Sequence, residues 1–242
     1  MSTDAPTFSP LYRQIKGSIM QSLQSGEWRP GEAIPSEIEL AVRYKVSQGT
    51  VRKAIDELAA ENYLLRRQGK GTFVATHDEA RAQFRFLRLK PDVGVQEYPA
   101  GRLLDCKRAR ASAEVARLLR LKAGDGVVVI LRVLSFAELP TVFEQIYLPG
   151  QRFRELSAAM LNDYKGSMYK LFETEFGTRM IRAEEKIRAV GADATAAQLL
   201  GVPQRTPLLC VERVAFSYGE EPVEFRRGYY RTDKHYYSNE LG

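Results

Sequence analysis

The chain has 242 residues, 44% of them hydrophobic, and 36 Lys and Arg against 30 Asp and Glu give a formal net charge of +6. That length suits two domains rather than one small module, the apolar fraction is enough for buried cores, and the basic excess mildly favours a polyanionic partner. No apolar run approaches the roughly 18 residues of a membrane span, and the opening MSTDAPTFSP is unlike a signal peptide, so no membrane partner is expected. Cys106 and Cys210 read as two reduced thiols of a cytoplasmic protein. With only those two and the isolated His77 and His235, neither a metal site nor a cofactor is expected.

Pro10 opens a first helix with Leu11, Ile15, Ile19 and Leu23 as its apolar stripe and Gly26 as its stop. Ser36 and Glu39 form a capping box for a second helix, with Leu40, Ala41 and Tyr44 inward. After a tight YKVS turn, Ser47 caps a third helix. In it Val51, Ala54, Ile55 and Leu58 recur at the spacing of one apolar face. Gln48, Gly49, Thr50, Arg52 and Lys53 fall on the outer side. Gln matches an adenine edge, Arg matches guanine or phosphate, and Thr serves either. Gly49 leaves space for close backbone approach to a phosphate. Tyr63–Arg67 and Thr72–Ala75 then read as strands around a QGKG turn. Gly69 and Gly71 permit positive φ there, while Arg66, Arg67 and Lys70 load the tip with positive charge. An amphipathic helix with a solvated basic face is the plain alternative for the third helix alone. Two helices, a tight turn and a cationic hairpin in tandem instead predict a winged helix-turn-helix.

Residues 1–75 therefore form a first domain, the polar THDEARA opens a linker over 76–83, and 84–242 form a second domain. There FRFLRLK from Phe84 is a strand, PDVGVQEYPAG a loop, and Leu103–Arg108 strand-like. Ser112 caps a helix ending near Lys122–Gly124. Gly126–Ser135 is a β-branched strand buried on both faces, turning at ELP into the strand Thr141–Leu148. Gln151–Asp163 is irregularly helical, Ser167 caps SMYKLFETEFG, and Arg179–Val190 is a long strand. Asp193 caps ATAAQLLG, Pro207–Ser217 and Pro222–Arg231 form a hairpin turned at YGEE, and Tyr236, Tyr237 and Ser238 trail behind. The class is α+β.

Two features of this half carry chemistry. Arg132 interrupts an apolar strand, and a buried guanidinium needs a carboxylate or an anionic ligand. Glu144 shares a face with Val142, Ile146 and Leu148 on the next strand, so the two either pair structurally or line a pocket. Glu224, Gly228 and Tyr230 share one face of the last strand, where Tyr230 is either a core ring or a ligand contact.

The PSE, VSQGTVRKA and QGKGTFV blocks, within an ungapped match over residues 10–75, resemble the DNA-binding domain of the GntR family of bacterial transcription regulators. That resemblance implies a homodimer on a palindromic double-stranded operator. Its usual contact positions fall on Glu37, Ser47, Gln48, Gly49, Thr50, Arg52 and the wing at Arg67, Gly69, Lys70 and Gly71. Ile38 and Gln48 stand where many members carry Arg. VVVILRVLSFAELPTVFEQIYLP, SMYKLFETEFG and the last hairpin resemble the HutC-subfamily effector domain, UTRA, similar in fold to chorismate lyase. This implies an antiparallel sheet domain with helices that binds a small-molecule effector. The effector positions of sugar-phosphate-sensing relatives map to Arg132, Glu144, Ser167, Glu224 and Tyr230. Leu134 replaces a second Arg of phosphate-gripping relatives, which implies an effector less anionic than a phosphosugar, such as a carboxylate. The expected function is an effector-controlled repressor. The rivals are an enzyme of lyase-like fold and a non-specific architectural DNA binder. No Ser/His/Asp set or Gly-rich phosphate loop supports the enzyme.

Overall fold

The structure, a computed structural model, describes residues 9–76, 87–95 and 97–239. It divides into two compact units, Met1–Thr76 and His77–Gly242. Residues 77–83 of the expected linker 76–83, and 84–86 at the start of the FRFLRLK strand, lie outside the described residues.

The first unit packs α1 (Leu11–Gln24), α2 (Glu37–Tyr44) and α3 (Gln48–Ala60) around Ile15, Ile19, Leu23, Leu40, Val51, Ala54, Ile55 and Leu58. The stripe of α1 is buried only from Ile15 onward; Leu11, in the first turn at its end, stays 50% exposed. Lys16 pins α1 to α3 through Glu57 at 3.1 Å and Glu61 at 2.5 Å. Both capping-box bonds of Ser36 and Glu39 are present, and Lys45 in the left-handed region (φ 54) closes α2 before α3 begins. The wing is β1 (Leu64–Arg67) paired with β2 (Gly71–Val74), and Ala33 adds a single bridge to Phe73.

The second unit is built on a six-stranded antiparallel sheet. In chain order its strands are β4 (Ala100–Arg110), β5 (Gly126–Phe136), β6 (Leu139–Pro149), β7 (Arg182–Gly191), β8 (Pro207–Phe216) and β9 (Pro222–Tyr230). Their spatial order is β4-β5-β6-β9-β8-β7, so β5, β6, β9 and β8 are interior. Helices cover both faces, which is why β5 reads as nearly continuous apolar sequence. Ala111, Val115, Ala116 and Leu119, from α4 (Ala113–Leu118) and its flanks, pack with Val127, Val129 and Phe225. Leu171 and Phe172 of α6 (Met168–Phe176) share a buried core with Phe153 and with the sheet's Ile130, Ile146 and Leu148. The short α5 (Ala158–Asp163) precedes α6, and α7 (Ala194–Leu200) buries Ala196, Ala197 and Leu200 against Val133 and Phe143.

Several expectations are corrected. The helix after Ser112 ends at Leu118, because Arg120 takes a positive φ of 52. Only Ala158–Asp163 of the expected helical stretch is helix. The long strand begins at Arg182 rather than Arg179. The tail does not trail: β10 (His235–Tyr237) pairs antiparallel with β3 (Leu89–Pro91), and Leu89 is fully buried beside Tyr230. The β5–β6 turn is Ala137–Glu138, not ELP; Phe136 pairs with Leu139, and both turn residues have positive φ, 44 and 65. A two-residue hairpin turn of that hand favours Asn-Gly, which this sequence lacks, so it left no readable signal. Replacing Ala137 by Asn and Glu138 by Gly should therefore raise the unfolding free energy by about 1 kcal/mol. Urea titration monitored by circular dichroism checks this.

Candidate nucleic-acid interface and ligand cavity

The first turn of α3 faces outward. The Thr50 amide donates to Ser47 Oγ at 3.2 Å, and the two hydroxyls lie 2.9 Å apart. Ser47, Gln48, Gly49 and Arg52 are exposed, and Thr50 is half-buried. Beside them Glu37, in the first turn of α2, acts as a hub. Its carboxylate accepts from Gln48 Nε2 at 3.2 Å, Arg52 Nε at 2.9 Å and Arg66 Nη2 at 3.0 Å. Arg66 also donates to Asp56 at 2.7 Å. Burial pushes the Glu37 carboxyl up, but the hydrogen bonds from Arg66, Arg52 and Gln48 prevail and hold it below its ordinary value. Glu37 thus ties α2, α3 and the wing together and sets the direction of Arg52. At the wing tip Gly69 (φ 71) and Gly71 (φ 104) take backbone conformations open to glycine, and Lys70 is exposed between them. The Arg67 guanidinium lies over the Phe73 ring at 4.6 Å.

In the second unit a cavity of about 350 Å³ opens over the sheet, within the range of small-ligand sites. Arg132, Glu144, Arg213 and Arg226 form its polar floor; Ser167, Met168 and Tyr169 enter from the start of α6. Leu87, Leu134, Tyr98 and Pro99 give it apolar walls.

The floor is a row of charges set by strand register. Arg132 pairs directly across β5–β6 with Glu144, Arg226 across β9–β8 with Arg213, and Arg213 across β8–β7 with Glu185. Arg132 Nε donates to Glu144 Oε2 at 2.5 Å, and Arg226 Nη1 donates to Glu144 Oε1 at 2.8 Å. Arg226 holds Glu224 through Nε and Nη2 at 3.1 and 2.9 Å, and Tyr169 OH donates to Glu224 at 2.8 Å. Glu185 accepts from Arg213 Nε at 2.7 Å and Tyr237 OH at 2.5 Å. Burial alone would raise the Glu144 carboxyl; the charges of Arg132 and Arg226 override it and bring it down to about 2. Burial pushes the Tyr230 hydroxyl up to about 12.

Comparison with known proteins fits both halves. The model of "Bacterial regulatory proteins, gntR family" matches residues 11–74, and that of the UTRA domain matches residues 96–236. The chain belongs to the GntR family, UTRA type. Its second unit is similar to the ligand-binding domain of a GntR-family transcriptional regulator from Bordetella bronchiseptica. That likeness has 49% identity and a TM-score of 0.63, covering 65% of this chain and 98% of that one. Along nearly its whole length the chain is similar to the HTH-type transcriptional repressor NagR of Bacillus subtilis, at 26% identity over 93% of this chain and 92% of that one. The histidine utilization repressor of Klebsiella aerogenes is 28% identical over 86% of each chain.

Within the UTRA cavity, Arg132, Glu144 and Ser167 are lining residues, although Ser167 Oγ also accepts the Lys170 amide at 3.2 Å as the cap of α6. Glu224 and Tyr230, the other two expected effector positions, are buried and are not among the residues lining it. Glu224 is fully buried against Arg226 and Tyr169. The Tyr230 ring folds over Gly228, where an added Cβ would lie 2.5 Å from its Cε2, and packs on Leu89, Leu134 and Val142. Period-two counting put Tyr230 on the right face, but Leu89 of β3 and Tyr237 of β10 pack against it there. Arg213, Arg226 and Tyr169 were missed. Arg213 in CVERVAF and Arg226 in VEFRRGYY each interrupt a buried strand as Arg132 does, and that is the signal by which the sequence marks them.

Glu144 is depressed in the folded state, so its stabilisation is present above the ordinary carboxylate range and is lost as pH falls toward about 2. Glu144→Gln removes the charge that faces the part-buried Arg132 and the buried Arg226, which keeps only Glu224, and should cost about 3 kcal/mol at neutral pH. The deficit relative to wild type should narrow as pH falls from the ordinary carboxylate range toward 2, measured by urea unfolding across a pH series.

Proposed function

We propose that this protein is a repressor that binds a two-fold operator as a homodimer and is controlled by a small metabolite in the UTRA cavity. The observation that carries this reading is a solvent-facing Gln48–Arg52 turn, with its cationic wing, on one unit and an amphiphilic cavity in the other. Relatives named as repressors over most of the chain support the direction of control. In this reading Gln48, Thr50 and Arg52 read base edges in the major groove, and Ser47, Gly49, Arg67, Gly69, Lys70 and Gly71 approach phosphates. Glu37 acts through the cations it holds. The effector acts by preferring one spacing of the two DNA-reading heads, since equal affinity for both would shift nothing. Relatives named as repressors over most of the chain also favour binding over catalysis. The protein would reside in the cytoplasm, on the nucleoid when bound to DNA.

Gel shift with the protein's own promoter tests this. Arg52→Ala should lose about 1–3 kcal/mol of operator affinity, with binding to unrelated duplex reduced far less. Wild-type log affinity should fall against log salt with a slope of several units. Light scattering should report a dimer; a strict monomer that ignores promoter DNA would overturn the proposal.

A further inference from the structure

We infer that the ligand of the UTRA cavity is a compact monocarboxylate with an apolar body, gripped by the outer edge of Arg132. The inference rests on the effector reading above and narrows it to a chemical class.

Charge counting comes first. The floor holds three guanidinium groups, Arg132, Arg213 and Arg226, ion-paired to three carboxylates, Glu144, Glu185 and Glu224. Arg88 also approaches Glu185, at 4.0 Å, so among the described residues each carboxylate of the row already has a cation without a ligand. Arg226 donates from all three of its nitrogens, two to Glu224 and one to Glu144. Arg213 is held on Glu185 by Nε at 2.7 Å and Nη2 at 2.6 Å. Arg132 differs. It gives only Nε to Glu144, its two terminal nitrogens have no partner among the described residues, and its side chain is 20% exposed in the cavity wall. One cationic edge is therefore open, and a planar guanidinium edge matches one carboxylate through two parallel hydrogen bonds.

A phosphate monoester fits worse. It would bring nearly two negative charges to one open guanidinium edge beside the ionised Glu144, while the Arg226 nitrogens are already committed to Glu144 and Glu224. Leu134 lies two residues along β5 from Arg132 and lines the same cavity, 4% exposed, so an alkyl group stands where a second cation would be needed. With Leu87, Pro99 and Met168 it makes walls suited to an aliphatic or aromatic body.

The test uses the full-length protein and matched probes in isothermal titration calorimetry and thermal-shift assays. Phenylacetate and 4-methylpentanoate are the monocarboxylates, phenylacetamide the neutral counterpart and phenyl phosphate the dianion. At least one carboxylate should bind about tenfold or more tighter than the amide and the phosphate ester. Arg132→Gln should reduce that carboxylate to the level of the amide. Because this variant leaves Glu144 short of a partner, Leu134→Arg provides an independent arm; it should raise phenyl phosphate affinity relative to phenylacetate by about tenfold. The inference is overturned by tighter binding of phenyl phosphate to wild type, by equal binding of amide and carboxylate, by no carboxylate response, or by an unchanged ratio in Leu134→Arg. A phosphate ester that binds and alters operator affinity would sink the carboxylate and leave the effector reading standing. A carboxylate that binds through Arg132 without changing operator affinity would do the reverse.

Discussion

Ionic pairing inside the sheet of the second unit is the constraint on which the rest depends. Glu144 and Glu224 are at most 1% exposed and Arg213 and Arg226 at most 5%, so each must find an opposite charge within the protein. Antiparallel register provides the partners, because residues facing one another across β5–β6 and β7–β8 are held at fixed separation. A row of this kind stabilises no better than well-packed hydrophobic residues would. In the floor of the cavity the row also leaves one edge of Arg132 facing the cavity.

The DNA-reading unit solves a related problem at its surface. Arg52 is 58% exposed, yet two of its nitrogens lie 2.9 Å from Glu37. Such an exposed pair adds little stability. It does restrict the directions available to Arg52, which in the proposed reading lowers the cost of ordering the side chain on DNA. Arg66 extends the same clasp from the wing, so the recognition turn and the hairpin are held through one carboxylate.

Much of this was legible from sequence because it is local. Ser36 with Glu39, Ser47, Ser112, Ser167 and Asp193 cap the helices they were expected to cap, since a cap needs only a side chain and amides two or three residues onward. The apolar face of α3 and the glycines of the wing follow from backbone geometry within a few residues. Arg132 was legible as an anomaly in an apolar strand, and its direct partner Glu144 was legible because a short hairpin joins them.

Sequence by itself determined the two-unit α+β plan, the helix-turn-helix with its wing, and the presence of buried charge on the central hairpin. Only tertiary structure decided which charges are spoken for. Arg226 reaches Glu144 across 82 positions and Tyr169 reaches Glu224 across 55, and no local periodicity encodes contacts of that range. The same holds for Tyr230: alternation gave its face, but the packing of Leu89 and Tyr237 against it made it core rather than cavity lining. Helix caps and hairpins are fixed by bonds between near neighbours, whereas the occupancy of a guanidinium edge depends on every strand that the fold brings alongside it.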